Sequence, residues 1–277
     1  MNPTEQEIQE LIAAIQDSRK YRDLGLNPET VHDLIRQEAP SHPSLKSLRK
    51  TVRRKLHNIV APYLGEPDYQ GLMADLSELD PMNPDTQEIN QFCLRVLSEH
   101  ASTAERIPFL NAFYQRIFAV TGQPKTVLDL ACGLHPLAFP WMGLPLSTNY
   151  YAYDIIQPRI DFINAFFQKF GLAPLAQNQD ILAHPPGIQA DLILFFKEAH
   201  RFEKRSPGCN KAFWASLQTR WLAASLPTHN LAGTHSLVDQ HRVLVQDSLP
   251  PGVQIAHELP FENEIVFLIP DPGKTSQ

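Results

Sequence analysis

The chain has 277 residues, of which 43% are hydrophobic and 19% are charged, and its formal net charge at pH 7 is −6. These values are ordinary for a globular protein with a sizeable core and more than one folding unit. A net negative charge excludes a protein that binds polyanions indiscriminately through its overall charge.

The sequence predicts a cytoplasmic protein without membrane contact. No apolar run approaches the length that spans a bilayer, and the N-terminus carries acids where a signal peptide carries basic residues. The three cysteines lie far apart, and no Cys-x-x-Cys pair indicates a zinc site or a disulfide framework. The histidines around the later strands are scattered, so no metal site is predicted.

Positive charge is concentrated near the N-terminus. Residues 39–65 contain six basic residues and no acid, and three further basic residues stand at positions 19–22. A charge run is often only a solvated helix face. The complete absence of acids favours contact with RNA, because each cation that neutralises a phosphate releases counterions. The predicted RNA-binding residues here are Arg19, Lys20, Arg22, Lys46, Lys50, Arg53, Arg54 and Lys55.

The first 120 residues predict helices throughout. Apolar residues recur with helical spacing in residues 6–17, 28–35, 45–60, 68–79, 85–99 and 103–120. In residues 45–60 the apolar residues form one stripe, and the basic residues lie largely off it. A helical, basic domain is therefore predicted for residues 1–122.

From residue 126 onward the pattern changes to short apolar runs. These runs predict strands at residues 126–131, 150–154, 174–181, 190–196 and 221–226, with helices at 160–170 and 211–219 between them. Two last runs, at 253–259 and 265–269, predict an antiparallel hairpin at one sheet edge. The alternation of strands and helices predicts an α/β domain with a parallel sheet for residues 123–277.

The ends of the first three predicted strands indicate a ligand site. The first strand runs into a turn of small residues, where Gly133 allows a ligand to approach the backbone and its N–H groups. Asp154 ends the second strand, where a carboxylate can accept hydrogen bonds from a ribose diol. Asp180 stands at the end of the third, placed to meet an adenine amino group. This spacing predicts an adenosyl ligand.

A nicotinamide dinucleotide is the rival ligand. Its pyrophosphate would require Gly-x-Gly-x-x-Gly, but only Gly133 is present, with Ala131 and His135 in the other glycine positions. The turn therefore favours a cofactor without phosphates, and the terminal hairpin is typical of methyltransferases. The alternative is that Asp129 and Asp154 are only polar residues at strand ends.

Five segments carry a family resemblance: residues 18–23, 100–106, 127–142, 151–154 and 263–267. With them the chain resembles, over nearly its whole length, the 16S rRNA (guanine-1405-N7) methyltransferases of the aminoglycoside-resistance group. The resemblance implies a class I S-adenosylmethionine-dependent methyltransferase domain, with a Rossmann-like seven-stranded sheet and a C-terminal antiparallel hairpin. It also implies that the N-terminal helical subdomain binds the small ribosomal subunit.

The resemblance assigns residues to the cofactor and to the reaction centre. It implies that Arg106 holds the methionine carboxylate, which suits the two parallel donors of a guanidinium. The implied cofactor-binding residues are His100, Ser102, Arg106, Ala131, Gly133, Asp154, Ile155, Asp180 and Ile181. Lys197 and Glu203 match polar positions near the reaction centre and are the predicted catalytic residues. The expected product is S-adenosylhomocysteine.

Residues 225–235 depart from the family pattern. His229, still predicted to contact RNA, replaces a basic residue, Thr234 replaces an arginine, and the usual Gly-Met pair is not evident. His135 also stands where the family usually has Asn. Because family members use this segment near the target base, the sequence supports cofactor binding better than it supports the target.

Three functions follow as hypotheses. The first is a monomeric enzyme that methylates 16S rRNA in the 30S subunit at guanine N7, a reaction that needs positioning rather than a general base. The second is a ribosome- or RNA-binding homologue with an altered target or lost activity. The third is a small-molecule methyltransferase whose basic helix is incidental. Salt-sensitive binding to small subunits separates the third from the others, and drug resistance separates the first from the second.

Overall fold

The structure, a computed structural model, describes residues 2–60, 67–79, 86–230 and 233–273. One sheet of seven strands forms its second half, in the order β3-β2-β1-β4-β5-β7-β6. The strands are β1 Thr126–Leu130, β2 Asn149–Asp154, β3 Ala176–Asn178, β4 Ala190–Phe196, β5 Thr219–Pro227, β6 His257–Pro260 and β7 Glu264–Pro270. All seven predicted strands are therefore present, although β3 and β6 are shorter than predicted.

The first five strands are parallel, and β7 is antiparallel to both of its neighbours, β5 and β6. The predicted C-terminal hairpin is thus confirmed. The chain leaves β1 in one direction through β2 and β3, and then returns to β4 on the other side of β1. In open α/β sheets, ligands bind where the strand order reverses, outside the carboxyl ends of the strands. The fold therefore predicts a site beside the end of β1.

Helices cover the sheet and form the N-terminal part of the chain. They are α1 Glu5–Gln16, α2 Pro28–Glu38, α3 Leu45–Val60, α4 Tyr69–Glu78, α5 Thr86–Ser98, α6 Ala101–Ala104, α7 Leu110–Thr121, α8 Phe139–Met142, α9 Gln157–Lys169, α10 Ala199–Arg205, α11 Cys209–Ser216 and α12 Val238–Ser248. The basic helix α3 has the bounds that its apolar stripe predicts. The predicted helix at 85–99 is α5, and residue 85 lies outside the described residues.

One predicted helix was wrong, and two were missed. The pattern over residues 103–120 predicts a continuous helix, but the structure has α6, a 3-10 helix at Ile107–Phe109 and then α7. Pro108 causes the interruption because it has no N–H to donate and its ring clashes with the preceding turn. The missed helices are α10 and α12. In α12 the polar His241 is buried while Val243 is 55% exposed, so its amphipathic pattern is blurred.

The hydrophobic cores divide the chain differently from the secondary structure. Helices α1–α3 share a core of their own, to which the sheet half contributes Ile156 and the partly buried Ile155. Helices α4, α5 and α7 pack in the same core as β1, β2 and α9. The predicted boundary at 122–123 separates helices from strands, and among the described residues the stretch 2–60 has a core of its own. We call residues 2–60 the N-terminal unit.

The N-terminal unit docks directly on the strand ends that face the predicted site. Leu26 forms an antiparallel bridge with Ile156, just after β2. The Asn27 amide nitrogen Nδ2 donates to the backbone oxygen of Asn178 at the end of β3, at 2.9 Å. The same side chain caps α2, because its oxygen accepts from the Glu29 N–H at 2.8 Å. One residue therefore both begins α2 and fixes its position against the sheet.

Two observations concern only the residues that the structure describes. None of the helices in this part of the chain is both long and apolar enough to cross a membrane. Over the same residues, no three side chains of His, Cys, Asp or Glu come together in a way that could hold a metal ion.

The separate core of the N-terminal unit makes a stability prediction. Leu56 of α3 is fully buried in it, so Leu56→Ala should lower the free energy of unfolding by about 2–5 kcal/mol, from lost burial and the cavity left behind. Met73 is 40% exposed, and Met73→Ala should cost less than about 1 kcal/mol. Urea denaturation of both variants measures the difference. Equal losses of unfolding free energy in the two variants would contradict the burial of Leu56 in a separate core.

Candidate functional site

Two residues of the turn after β1 adopt the left-handed backbone conformation. Ala131 has a φ of +53° and Gly133 a φ of +55°, both in the left-handed region. A residue with a Cβ pays roughly 1 kcal/mol there, so the turn is strained at Ala131 and suited to glycine at Gly133. The Cys132 N–H donates to the Tyr153 carbonyl at 2.9 Å, and the His100 ring lies 3.6 Å from where a Cβ on Gly133 would be.

Asp154, at the end of β2, is the acceptor that organises this turn. Its Oδ2 accepts from the Gly133 N–H at 3.0 Å and from Arg159 Nη1 at 2.7 Å, and its Oδ1 accepts from the Ile156 N–H at 3.1 Å. The N–H of Gly133, which the sequence left free for a ligand, is therefore used within the protein. Arg159, which also donates to the Tyr69 hydroxyl at 3.1 Å, was missed because a lone arginine in an amphipathic helix carries no sequence signal.

Asp180 connects the predicted adenine side of the site to the N-terminal unit. Its Oδ1 accepts from the Leu182 and Ala183 N–H groups at 3.1 and 3.3 Å. Arg205 places Nη1 2.7 Å from Asp180 Oδ2 and donates from Nη2 to Asp33 in α2 at 2.7 Å. One buried guanidinium thus joins the end of the β3 segment to a helix of the N-terminal unit.

Arg106 forms a buried ion pair that the sequence did not reveal. Its Nε donates to Glu264 Oε2 at 3.2 Å, and its Nη2 donates to Oε1 at 2.7 Å. The rings of Phe113 and Phe196 lie 4.5 and 4.8 Å from the guanidinium carbon, one cation–π contact each. Burial raises the pKa of Glu264, but Arg106 and Lys197 lower it more, so the net pKa lies below its usual value.

Lys197 lies beside this ion pair at the end of β4. It has a φ of +59°, and its N–H donates to the Ser225 carbonyl of β5 at 2.8 Å. Its ammonium group pairs with Glu105 and lies 3.7 Å from Glu264 Oε2. Two cations, Arg106 and Lys197, therefore flank one buried carboxylate. Glu264 was missed, although an acid at the first position of an apolar strand is a sequence signal that could have indicated it.

Glu203, the other predicted catalytic residue, has a different environment. Its Oε2 accepts from the Gly208 N–H at 2.6 Å, and its Oε1 accepts from the Asn210 N–H and side-chain amide at 3.2 and 2.9 Å. These bonds satisfy donors at the start of α11. The structure therefore gives Glu203 a capping function and does not bring it into contact with Lys197. Its catalytic role stays a prediction.

The remaining predicted cofactor residues surround the turn or support it. His100 Nδ1 is 2.7 Å from the Ser102 hydroxyl, and burial, then Arg159, lower the pKa of His100 to about 4. Ile155 accepts the Asn27 N–H through its carbonyl at 2.9 Å. Ile181 is buried in the core on one face of the sheet.

His135 belongs to a buried polar network below the turn. Its Nδ1 lies 2.7 Å from Asp129 Oδ2, and its Nε2 lies 2.7 Å from the Tyr114 hydroxyl. Tyr150 donates to the same Asp129 oxygen at 2.8 Å. Burial raises the pKa of both tyrosines, which keeps them protonated. His135, which departs from the family pattern, therefore has a polar partner at each of its two ring nitrogens inside the core.

Residues 225–227 of the divergent segment 225–235 belong to β5, and residues 228–230 and 233–235 are described beyond its end; residues 231 and 232 lie outside the described residues. His229 forms an antiparallel bridge with Ser236, and the Asn230 side-chain oxygen accepts from the Thr234 and His235 N–H groups at 2.9 and 3.3 Å. The side chains of His229, Thr234 and His235 are exposed. They therefore face solvent beyond the end of β5.

The two basic stretches of the N-terminal unit lie side by side. The Tyr21 hydroxyl donates to the Arg53 carbonyl of α3, and Lys20 Nζ lies 2.6 Å from His57 Nδ1. Seven predicted RNA-binding residues are exposed, namely Arg19, Lys20, Arg22, Lys46, Lys50, Arg53 and Arg54; we call them the basic surface. Lys55 differs because it is partly buried and pairs with Glu38.

Buried histidines should make the protein less stable in mild acid. Burial, and then His241, lower the pKa of His200 to about 3, and the pKa of His100 is about 4. The unfolded chain therefore binds protons below about pH 6.5 that the folded chain does not bind, so stability falls as the pH falls. From about pH 6.5 to 5 we expect a loss of the order of 1 kcal/mol per histidine. Urea denaturation should give a shallower loss for His200→Asn, and an unchanged slope would contradict this.

The amino-acid sequence is similar to those of known ribosomal RNA methyltransferases. The family model described as "Ribosomal RNA methyltransferase (FmrO)" matches residues 17–244. The chain is 31% identical over 267 residues to the 16S rRNA (guanine(1405)-N(7))-methyltransferase of Serratia marcescens, covering 96% of this chain and 99% of that protein. It is 33% identical over 227 residues to the enzyme of the same name from Micromonospora rosea, covering 81% and 82%.

Solved structures show the same relationship. The 16S rRNA methylase RmtB superimposes with a TM-score of 0.78 at 29% identity, covering 97% of this chain and 99% of that one. The 16S rRNA methyltransferase RmtF in complex with S-adenosyl-L-homocysteine gives a TM-score of 0.77 at 25% identity, with the same coverage. The fold is thus that of class I S-adenosylmethionine-dependent methyltransferases, and the chain belongs to the ribosomal RNA methyltransferase family.

Proposed function

We propose that this protein transfers a methyl group from S-adenosylmethionine to N7 of guanine 1405 of 16S rRNA, within the 30S subunit, and thereby confers aminoglycoside resistance. One observation carries the proposal: a site with the donors and acceptors for an amino acid and a nucleoside lies next to a unit whose surface is basic. The names of the related enzymes support the choice of target.

The residues of the site fit the proposed cofactor chemically. Arg106 offers a guanidinium for the methionine carboxylate, and Asp154 offers a carboxylate for the ribose hydroxyls. Gly133 keeps the backbone between them free of a side chain, and Asp180 with Ile181 forms the adenine side. Phosphates have no place here because the turn lacks the glycine pattern of a dinucleotide site. When bound, the cofactor supplies an electrophilic methyl group on its sulfonium.

The proposed reaction requires positioning rather than proton transfer. Guanine N7 carries a lone pair in the plane of the ring, so its in-line attack on a methyl group needs no general base. This is compatible with a Glu203 that is used as a helix cap. The protein must hold an extruded base and exclude water from it. Lys197 bonds through its N–H to Ser225 of β5, and the exposed His229 follows the end of that strand. These are the residues that we propose for this task.

The N-terminal helices are proposed to dock on rRNA. The basic surface combines residues from two stretches of sequence on α3 and on the loop before α2, as a phosphate-binding face requires. Residues 1–122 are the proposed docking domain and residues 123–277 the methyltransferase domain, with the N-terminal unit supplying most of the RNA contacts. We further propose that the protein acts in the cytoplasm as a monomer.

A second candidate function rests on the divergent segment 225–235. Its exposed side chains are two histidines and a threonine where the family pattern has a basic residue and an arginine. Fewer permanent cations beside the target would weaken contact with rRNA phosphates. A ribosome-binding homologue with an altered target or lost activity would keep the cofactor site and the basic surface and change only this segment.

Methyl transfer to purified 30S subunits separates the two candidates. The protein is incubated with tritiated S-adenosylmethionine and subunits, and N7-methylguanine is mapped by borohydride–aniline cleavage followed by primer extension. We expect incorporation of tritium and cleavage at guanine 1405. Tritium at another guanine would establish the altered target. Binding of S-adenosylhomocysteine and of subunits without any transfer would establish the loss of activity.

The basic surface predicts salt-dependent binding to the 30S subunit. The double variant Lys50→Ala, Arg53→Ala should reduce the slope of log affinity against log salt by about two, because each phosphate contact contributes about one. Its affinity for S-adenosylhomocysteine should not change. Arg220→Ala is the control. Arg220 is 71% exposed and lies at the amino end of β5, whereas the proposed site lies at the carboxyl ends of the parallel strands. A control variant with the same loss of slope would contradict a specific docking surface.

A further inference from the structure

The buried pair of Arg106 and Glu264 poses a physical problem. Both side chains are almost completely inaccessible, at 2% and 0% exposed. Removing two charges from water costs more than their attraction usually returns, so such a pair is a poor way to stabilise a protein. The residues lie 158 positions apart in the chain. The benefit of this ion pair is therefore better sought in the orientation that Glu264 gives to the guanidinium of Arg106.

Glu264 restricts the guanidinium of Arg106 in a defined way. A guanidinium has one fork of donors formed by Nε and Nη2 and a second formed by Nη1 and Nη2. Glu264 occupies the first fork, with Oε2 near Nε at 3.2 Å and Oε1 near Nη2 at 2.7 Å. The rings of Phe113 and Phe196 cover the guanidinium at 4.5 and 4.8 Å. Rotation and tilt are both restricted, and the second fork has a set direction.

Four charged side chains, those of Arg106, Glu264, Lys197 and Glu105, form a cluster whose buried charges leave one positive charge for an additional anion. Arg106 and Glu264 cancel each other, and Lys197, 3.7 Å from Glu264 Oε2, adds a positive charge. Glu105 pairs with Lys197, but the Glu105 side chain is 49% exposed, so water screens its charge. The three buried side chains of this cluster therefore carry a net charge of one positive unit. The cluster is placed beside the cofactor turn, because the Phe196 ring that touches Arg106 also lies 5.0 Å from the ring of His135.

We infer that Glu264 is a positioning residue that aims the second fork of Arg106 at the carboxylate of the methionine part of the cofactor. The inference rests on the proposed function, in which that carboxylate is the ligand of Arg106. Glu264 itself does not touch the cofactor. Its effect is to pre-organise the guanidinium, so that binding requires no reorientation of a buried cation.

The test compares two ligands that differ only at the amino acid end. S-Adenosylhomocysteine has the carboxylate, whereas 5′-methylthioadenosine has the same adenosine and sulfur but no amino acid group. Glu264→Gln keeps the size of the side chain and can accept only through one oxygen. By calorimetry we expect affinity for S-adenosylhomocysteine to fall about tenfold or more, and affinity for 5′-methylthioadenosine to stay within about twofold.

Two other results would overturn the inference. A similar loss for both ligands would mean that Glu264 only supports the fold. Unchanged or tighter binding of S-adenosylhomocysteine would mean that Glu264 competes with the carboxylate, because its removal makes the cluster more positive. Glu258→Gln is the matched control. Glu258 also forms a two-pronged pair with an arginine, Arg242, but on the exposed strand β6, so its loss should affect neither ligand.

Further variants keep the result interpretable. Glu264→Asp retains the charge and retracts it by one methylene, so it serves if Glu264→Gln does not fold, and it should show a smaller loss selective for S-adenosylhomocysteine. Arg106→Lys keeps the charge without the fork and should show the full selective loss; no loss would overturn the inference at its first step. Failure of the unaltered protein to bind either ligand would instead refute the proposed function.

Discussion

The carboxylate of Asp154 is the contact on which the rest of the site depends. It accepts hydrogen bonds from the turn after β1, from the start of α9 and from Arg159. Through Ile156, the residue whose N–H it binds, it also reaches the bridge to the N-terminal unit. A charged acceptor with several donors is strongly oriented. The positions of the turn after β1, of the second strand and of the docked helices are therefore set around one buried group.

Direct contacts join the proposed RNA-docking unit to the proposed cofactor site. The N-terminal unit has a core of its own and could in principle sit anywhere on the sheet. It is held at the ends of β2 and β3 by Asn27, and Arg205 ties its helix α2 to Asp180. These are the strand ends that we assign to ribose and adenine. If the N-terminal unit binds rRNA as proposed, a shift of this unit would change the proposed cofactor site, and by linkage the reverse would also hold.

Electrostatics at the site is governed by burial. In water the four charges of Arg106, Glu264, Lys197 and Glu105 would contribute little. Inside the protein each must be compensated, because an unpaired buried charge costs several kcal/mol. Three of them are buried, with the guanidinium of Arg106 against the rings of Phe113 and Phe196, and the fourth, Glu105, is half exposed. Such a set tolerates an incoming carboxylate better than it tolerates a further cation.

The sequence by itself determined the features that depend on residues close together in the chain. The strands, the bounds of α3, the glycine turn and the acids at strand ends all follow from short patterns whose physical causes are local, namely backbone conformation and alternating burial. It failed where the pattern was interrupted by Pro108 or blurred, as in α12 with its buried His241.

Only the tertiary structure decided which groups meet. Arg106 and Glu264, Asp33 and Arg205, and Tyr114 and His135 are pairs from distant parts of the chain. It also gave Glu203 hydrogen bonds at the start of α11, which the sequence did not predict. Side-chain partners of this kind depend on how helices cross the sheet edge. That geometry arises from the packing of the whole core and leaves no periodic trace in the sequence.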